Sequence, residues 1–282
     1  MISLIANAKI NLYLDITGRR GDGYHLLETV MMSVDLADIV TVDVLESREG
    51  IAVDCTNPLI PSDNRNICFK AAELFFEAVG RTPRASIHIE KRIPHAAGLG
   101  GGSADAAAVL EGLNRLSDRP LDEERLMSLA VRTGADVPFC MTGGTKLCRG
   151  IGEKISDIEP LSERVYLVIM PDHHCDTKGA YAEYDRAPLP RRNGLTQFLK
   201  AGEEFPKKCY NVFRELYEDP KIDGIINKLL SIGAEGANLS GSGAAVFGIF
   251  GDEASAEKAA REFPKYFTAV CRPISKGIIL IN

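Results

Sequence analysis

From Pro94 to Ser103 the chain reads Pro-His-Ala-Ala-Gly-Leu-Gly-Gly-Gly-Ser, with glycines at 98, 100, 101 and 102, and a run of alanines and aliphatics follows. Residues of that kind favour helix. A glycine-rich bend opening onto a helix leaves backbone N–H groups unpaired at the positive end of the helix dipole. Such a bend attracts anions, phosphate above all. Ser103 is placed to cap the helix, with Asp105 in its first turn. The run fits none of the commonest phosphate motifs. The P-loop requires a lysine before its serine, and Gly102 stands there. A dinucleotide fingerprint begun at Gly98 or Gly100 meets Ser103 or Asp105 where its third glycine belongs. The His-Arg-Asp and Asp-Phe-Gly signatures of protein kinases are absent.

Moving a phosphoryl group from a nucleotide needs phosphate positioning, charge neutralisation, a metal and a group that orients the attacking oxygen. Lys9 offers positive charge on a strand, where placement is precise, although a lysine on a strand face is ordinarily just solvated. Asp136, in Gly134-Ala-Asp-Val-Pro138, suits a general base for a hydroxyl, or simply a turn aspartate ahead of proline. Ser240-Gly-Ser-Gly243 supplies small residues and backbone donors for a second approach to phosphate, or a plain turn.

These residues need elements to hold them. Residues 4–15 alternate, with Leu4, Ala6, Ala8, Ile10, Leu12 and Leu14 on one face and Asn7, Lys9, Asn11, Tyr13 and Asp15 on the other, which predicts a half-buried strand. A turn at 18–23 leads into Tyr24 and His25. Further strands are expected at 37–46, 51–54, 85–93, 165–170, 244–250, 267–272 and 276–281. Helices are expected at 67–79, 103–116, 122–132, 177–185, 195–201, 210–217, 221–231 and 254–263, with a sharp break at 134–138 and a junction near 152–164. Strands and helices do not alternate strictly, so the class is α+β rather than a doubly wound parallel sheet.

The chain has 282 residues and a formal charge of −6, which argues against nucleic acid as the main partner. Its seven cysteines are scattered and never form Cys-x-x-Cys, so neither a zinc site nor a disulfide framework is expected and a reducing cytoplasm suits them. No stretch approaches membrane-spanning length and the first residues lack a targeting pattern.

Taken together and in order, Ala6-x-Ala-Lys9-x-Asn11, the Pro94–Ser103 run, Gly134-Ala-Asp136-Val-Pro and Leu239-Ser-Gly-Ser-Gly243 resemble the GHMP kinase superfamily over most of the chain. The segment Asp15–Met31, with Asp22-Gly-Tyr-His25 followed by Glu28-Thr29, is similar to the branch of that superfamily that phosphorylates a hydroxyl of a cytidine-diphosphate-linked polyol in non-mevalonate isoprenoid synthesis. Gly150-x-Gly-Glu153 and Asp176-Thr177-x3-Tyr181 share the likeness. The resemblance implies an ATP-binding half over 1–155, like domain 2 of ribosomal protein S5, and a ferredoxin-like substrate-binding half over 156–282.

It also implies roles. Lys9 and Asp136 would form the catalytic pair. Pro94, Ala97, Gly98, Leu99, Gly100, Gly101, Gly102 and Ser103 would hold the ATP phosphates, with Mg²⁺ bridging phosphate oxygens through ligands the resemblance leaves unassigned. Asn11 would position the polyol end of the acceptor. Tyr24 and Tyr181 would sandwich the cytosine, His25 would bond its polar edge, and Thr177 would bond the diphosphate, with Ser240 and Gly241 on the same side. The expected partner is a small cytidine-diphosphate-linked molecule, with no nucleic acid and no membrane, and the chain a monomer or weak homodimer. Other readings are a GHMP-type kinase for another polyol, a sugar or homoserine, and an inactive ligand sensor. The chain departs from the family at His95, at Ala97 and at Arg214, where an acid is usual. His173-His174 has no motif partner and reads as a surface pair, with a metal role as the alternative.

Overall fold

The computed structural model describes residues 1–45, 49–172, 175–217 and 219–281. The architecture grows from one long antiparallel hairpin, β1 (Ile2–Arg19) and β2 (His25–Val44). Its turn is closed by Arg20 N–H donating to the Tyr24 carbonyl at 2.7 Å. Next come β3 (Gly50–Cys55), α1 (Ile67–Val79), β4 (Arg84–Glu90), α2 (Gly101–Leu116), α3 (Glu123–Thr133), α4 (Val137–Thr142), β5 (Thr145–Gly150) and β6 (Lys154–Asp157). The second half carries β7 (Val165–Met170), α5 (Thr177–Arg186), α6 (Leu195–Leu199), a 3₁₀ turn over 202–208, β8 (Tyr210–Asn211), α7 (Val212–Leu216) and α8 (Pro220–Ser231). It ends with β9 (Gly236–Leu239), β10 (Val246–Phe250), α9 (Glu253–Ala260), β11 (Phe267–Cys271) and β12 (Ile278–Leu280).

Two sheets organise these elements into the α+β class that the sequence predicts. The first runs β12-β1-β2-β4-β3, with β5 added beside β2, β6 beside β5, and β8 lying parallel to β1. The second is the antiparallel order β11-β7-β10-β9, with α8 and α9 packed on it. Strand β12 therefore carries the end of the second half back to the first sheet, pairing Leu4 with Leu280. One core gathers Leu4, Val40, Val42, Phe75, Phe76 and Leu110 between the first sheet and its helices. The other joins Ile10, Leu12 and Leu14 of β1 to Leu167, Phe247 and Leu229 of the second half.

Local signals set the helix boundaries. Asn66, Asp122, Asp176, Asp219 and Asp252 cap their helices by accepting from backbone N–H groups one turn in. Gly80 ends α1 at φ 64°, a left-handed position that only glycine adopts freely.

Three expectations need correction. Ser103 is not a cap and Asp105 is not in the first turn: α2 begins at Gly101 with Gly100 as its N-cap, because Gly100 takes the left-handed turn at φ 70°. Strand β1 is not half-buried, since Asn7, Lys9, Asn11 and Asp15 are all buried on its polar face. Loops from both halves cover that face. The break at 134–138 is brief, because Pro138 sits in the first turn of α4, where its missing N–H costs nothing.

Candidate active site

β1 delivers the first two groups. Register shifts between Asn7/Ala8 and Asn11/Tyr13 bracket Lys9 and Asn11, and such bulges re-aim side chains. Lys9 Nζ donates to Asn11 Oδ1 at 2.7 Å and lies 3.4 Å from Asp136 Oδ2. The side chain of Lys9 is 5% exposed and that of Asp136 is 33% exposed, so the ammonium is fixed inside while the carboxylate keeps an open side. Asn11 Nδ2 donates to Thr29 Oγ1 at 2.9 Å, and Thr29 donates to the Tyr13 carbonyl at 2.7 Å. This chain leaves the Asn11 amide one orientation.

Asp136 sits at the start of α4, and the turn at Gly150–Gly152 packs against its loop. A Cβ on Gly152 would stand 3.2 Å from the Ala135 carbonyl and 3.9 Å from Asp136 Oδ1. Glu153 holds that turn by accepting from Ile151 N–H at 2.6 Å.

The glycine run threads between β1 and the loop at 240–245. Three successive carbonyls are taken up by protein donors: Ala97 by Ala245 N–H at 3.0 Å, Gly98 by Ser240 Oγ at 3.0 Å and Leu99 by Lys9 N–H at 2.9 Å. A Cβ at Gly98 would fall 2.1 Å from the Ser240 carbonyl, and one at Gly100 would fall 2.8 Å from Lys9 Cγ. Glycine is needed at both for close approach. The N–H groups of Gly101, Gly102 and Ser103 precede the first bond of α2, Ala104 N–H to the Gly100 carbonyl at 2.9 Å, and no side chain among the described residues caps them. Free N–H groups at the start of a helix are what an anion cradle requires, the feature the sequence leads one to expect.

This loop is a wall between two cavities. On one side a cavity of about 340 Å³ is lined by Ile60, Pro61, Ile67 and Ile89 with Lys91 and the run 94–103. On the other, a cleft of about 130 Å³ is lined by Lys9, Asn11, Thr29, Asp136, Thr177 and Tyr181, among others. Gly98 and Gly100 face both. A backbone N–H cradle in an apolar slot at one edge of this loop, and a Lys–Asp pair at the other, can bring a phosphorylated donor and a hydroxyl to one another.

Most of the expected residues come together here. Thr177 and Tyr181 enter on α5, with Thr177 Oγ1 2.8 Å from Ser242 Oγ. Burial and then the charge of Asp136 push the Tyr181 phenol well above its ordinary value. Ser240 is fully buried and spends its hydroxyl on Gly98, while Gly241 lies against that same glycine, its carbonyl accepting from Asn211 Nδ2 at 2.8 Å. His25 stacks on Tyr181 with ring centroids 4.8 Å apart, and Tyr24 stands 58% exposed at the hairpin turn beneath the Arg20 guanidinium. Pro94, His95 and Ala97 line the approach to the glycine cavity. Arg214 faces Asp223 at 3.5 Å, beside a separate cavity. His173 and His174 lie outside the described residues. Thr29, Phe213 and Ser242 also line the cleft without having been assigned a role from sequence. Thr29 sits within the Asp15–Met31 segment, which is the signal that could have found it.

Among the described residues no group of three metal-ligating side chains occurs, and no helix is long and apolar enough to cross a membrane. All seven cysteines are free.

Residues 66–144 match the family model of the GHMP kinase N-terminal domain, and residues 211–269 match that of the GHMP kinase C-terminal domain. Among curated proteins, the chain is 41% identical over 263 residues to a 4-diphosphocytidyl-2-C-methyl-D-erythritol kinase of Clostridium botulinum, covering 90% of this chain and 92% of that one. It is 40% identical over 280 residues to the enzyme of that name from Clostridium tetani, covering 97% and 99%. A crystal structure of a 4-(cytidine 5'-diphospho)-2C-methyl-D-erythritol kinase superposes with a TM-score of 0.77 at 32% identity, covering 96% and 99% of the two chains. A homoserine kinase from Cytophaga hutchinsonii superposes equally well, with a TM-score of 0.78, but at 19% identity it shares the fold alone. With its motifs, its paired cavities and full-length relatives in agreement, the chain belongs to the GHMP kinases and, among them, to the 4-diphosphocytidyl-2-C-methyl-D-erythritol kinase family.

Proposed function

We propose that the chain transfers the γ-phosphoryl group of ATP to the 2-hydroxyl of 4-diphosphocytidyl-2-C-methyl-D-erythritol, giving the 2-phosphate and ADP. This is the ATP-using step of the non-mevalonate route to isoprenoid precursors. The observation that carries it is the pairing of buried Lys9 with the partly open Asp136, on the far side of Gly98–Gly100 from the free N–H groups at 101–103.

In this reading Asp136 accepts the proton of the attacking hydroxyl, its open side being the one the acceptor approaches. Lys9, anchored by Asn11, holds Asp136 in position and offsets negative charge as the phosphoryl group moves. Asn11 and Thr29 orient the polyol. The N–H groups at 101–103 hold the phosphates of ATP, and Pro94 to Leu99 shape their approach. Mg²⁺ fits a site with few carboxylates, because it keeps several waters and binds mainly through substrate phosphates. It would neutralise phosphate charge there, with Asp105 lining the cradle cavity and Asp136 the cleft. Tyr24, His25 and Tyr181 stand at the hairpin end of the cleft, where a cytosine would lie, and Thr177 and Gly241 line the side where the diphosphate would pass, with Ser240 buried behind them bracing Gly98. Residues 1–155 carry the ATP side and also Asn11, Tyr24, His25, Thr29 and Asp136 of the acceptor side, to which 156–282 adds Thr177, Tyr181 and the 240–242 loop.

The test is ADP release by the purified protein with ATP and each candidate acceptor. The reading predicts turnover with the cytidyl polyol and background rates with mevalonate and homoserine. Equal or faster turnover with either of those would overturn it.

A further inference from the structure

Helix α5 lays Thr177, Tyr181 and Asp185 at a spacing of four residues, which places all three on one face. The first two reach the cleft. Asp185 instead grips the end of the β1–β2 hairpin. Its Oδ1 lies 2.7 Å from His25 Nε2 and its Oδ2 lies 3.4 Å from the Arg19 guanidinium. Arg19 and His25 are themselves the last cross-strand pair before the turn. One carboxylate from the second half thus clamps both arms of a hairpin from the first, directly beside the His25–Tyr181 stack.

The clamp has a chemical consequence. The hydrogen bond from His25 holds the Asp185 carboxyl below its ordinary range, so it is ionised at neutral pH and can only accept. The hydrogen between the two groups therefore belongs to Nε2. A neutral imidazole with its proton on Nε2 has Nδ1 as an acceptor. The ring side chain is 10% exposed and Tyr181 stacks on its face, so the ring is not free to turn over.

We infer that Asp185 is a positioning residue for base selection: by fixing the proton of His25 on Nε2, it leaves Nδ1 to accept from an amino group of the acceptor's base. Cytosine presents an exocyclic amino donor where uracil presents a carbonyl oxygen, which a ring acceptor repels. This assignment rests on the reading of the acceptor as a cytidine nucleotide.

Two measurements on the full-length protein test it. In the first, wild type, Asp185→Ala and Asp185→Asn are assayed with the cytidyl acceptor and with its uridyl analogue. Asp185→Ala is expected to raise KM for the cytidyl acceptor about tenfold and to lower cytidyl-over-uridyl selectivity by a similar factor. Its kcat and its KM for ATP should stay within about twofold of wild type. Asp185→Asn, whose amide oxygen can still accept from Nε2, should recover part of both losses. In the second, the ¹⁵N shifts of the His25 ring should show an Nε2–H tautomer in the free wild-type protein and a mixture in Asp185→Ala. Unchanged KM and selectivity in Asp185→Ala, or an Nδ1–H tautomer in wild type, would overturn the assignment. A wild-type protein that ignores the cytidyl acceptor would instead sink the functional reading, and the ring shifts would still decide whether Asp185 sets the tautomer.

Discussion

Lys9 Nζ and Asp136 Oδ2 stand 3.4 Å apart, the first on a strand of the founding hairpin and the second at the start of a short helix. The pair is asymmetric. Lys9 is sealed beneath the glycine run and tied to Asn11, whereas a third of the Asp136 side chain remains open. A buried ammonium without a carboxylate partner would be costly, so the fold that encloses Lys9 also holds Asp136 in place.

The glycines of the run are not equivalent. Gly98→Ala would drive a Cβ to 2.1 Å from the Ser240 carbonyl at a φ of +76°, so the loop or its neighbour must move. Gly102 lies within α2, where a Cβ would meet only Ile67 Cγ2 at 3.5 Å. Gly98→Ala should destabilise by about 2 kcal/mol or more. Gly102→Ala should be neutral or stabilising by up to about 1 kcal/mol. Urea unfolding of the two variants checks the contrast, and equal losses would mean that close approach is not what glycine serves here.

Tyr24 and Tyr181 make separable predictions. Tyr24 is exposed at a turn, so Tyr24→Ala should weaken the cytidyl acceptor several-fold with no change in Tm. Tyr181 stacks on His25 and meets Phe213 edge-on at 5.0 Å, so Tyr181→Ala should lower Tm as well as acceptor affinity. Steady-state KM values for both substrates, with melting curves, decide. If only the KM for ATP rises, neither ring serves the acceptor.

A buried charge cluster beside the glycine cavity should set a pH dependence. Lys91 Nζ donates to Asp38 at 2.5 Å and to Asp105 at 2.6 Å, and Asp105 Oδ1 has no hydrogen-bond partner. Burial first, and then the neighbouring Asp38, pushes the Asp105 carboxyl up to about 8 despite the pull of Lys91. A carboxyl raised in the folded state binds more protons there than in the unfolded chain. Its contribution is complete below the ordinary carboxylate value and is lost as pH rises toward about 8. Wild-type stability should therefore fall between pH 5 and pH 8 more steeply than that of Asp105→Asn. Parallel stability curves for the two proteins would contradict this.

Much of this was legible in the chain because backbone needs write themselves in residue types. The alternation over 4–15 marks β1, and the glycines mark the bend at 98–102 that opens onto a helix. Three features escaped for physical reasons. The first part of β2, 25–36, is buried on both faces over much of its length and so lacks the period of two that announces a strand. Ser103 looks like a cap because a serine before alanines usually is one, and only the geometry of Gly100 reveals that the helix starts earlier. Contacts that join the halves, such as Asp185 with His25 or Ser240 with Gly98, depend on how distant elements dock, and no local spacing encodes that.

The central claim is that Asp136 takes the hydroxyl proton, and rapid-quench turnover of Asp136→Asn tests it most directly. The variant should fold with a lowered Tm, because Lys9 loses its carboxylate partner, and bind ATP with nearly the same Kd, because the N–H groups at 101–103 are untouched. Its chemical step should slow by about 10²–10⁴-fold. A chemical step at the wild-type rate, with ATP binding intact, would remove Asp136 from the reaction and the account with it.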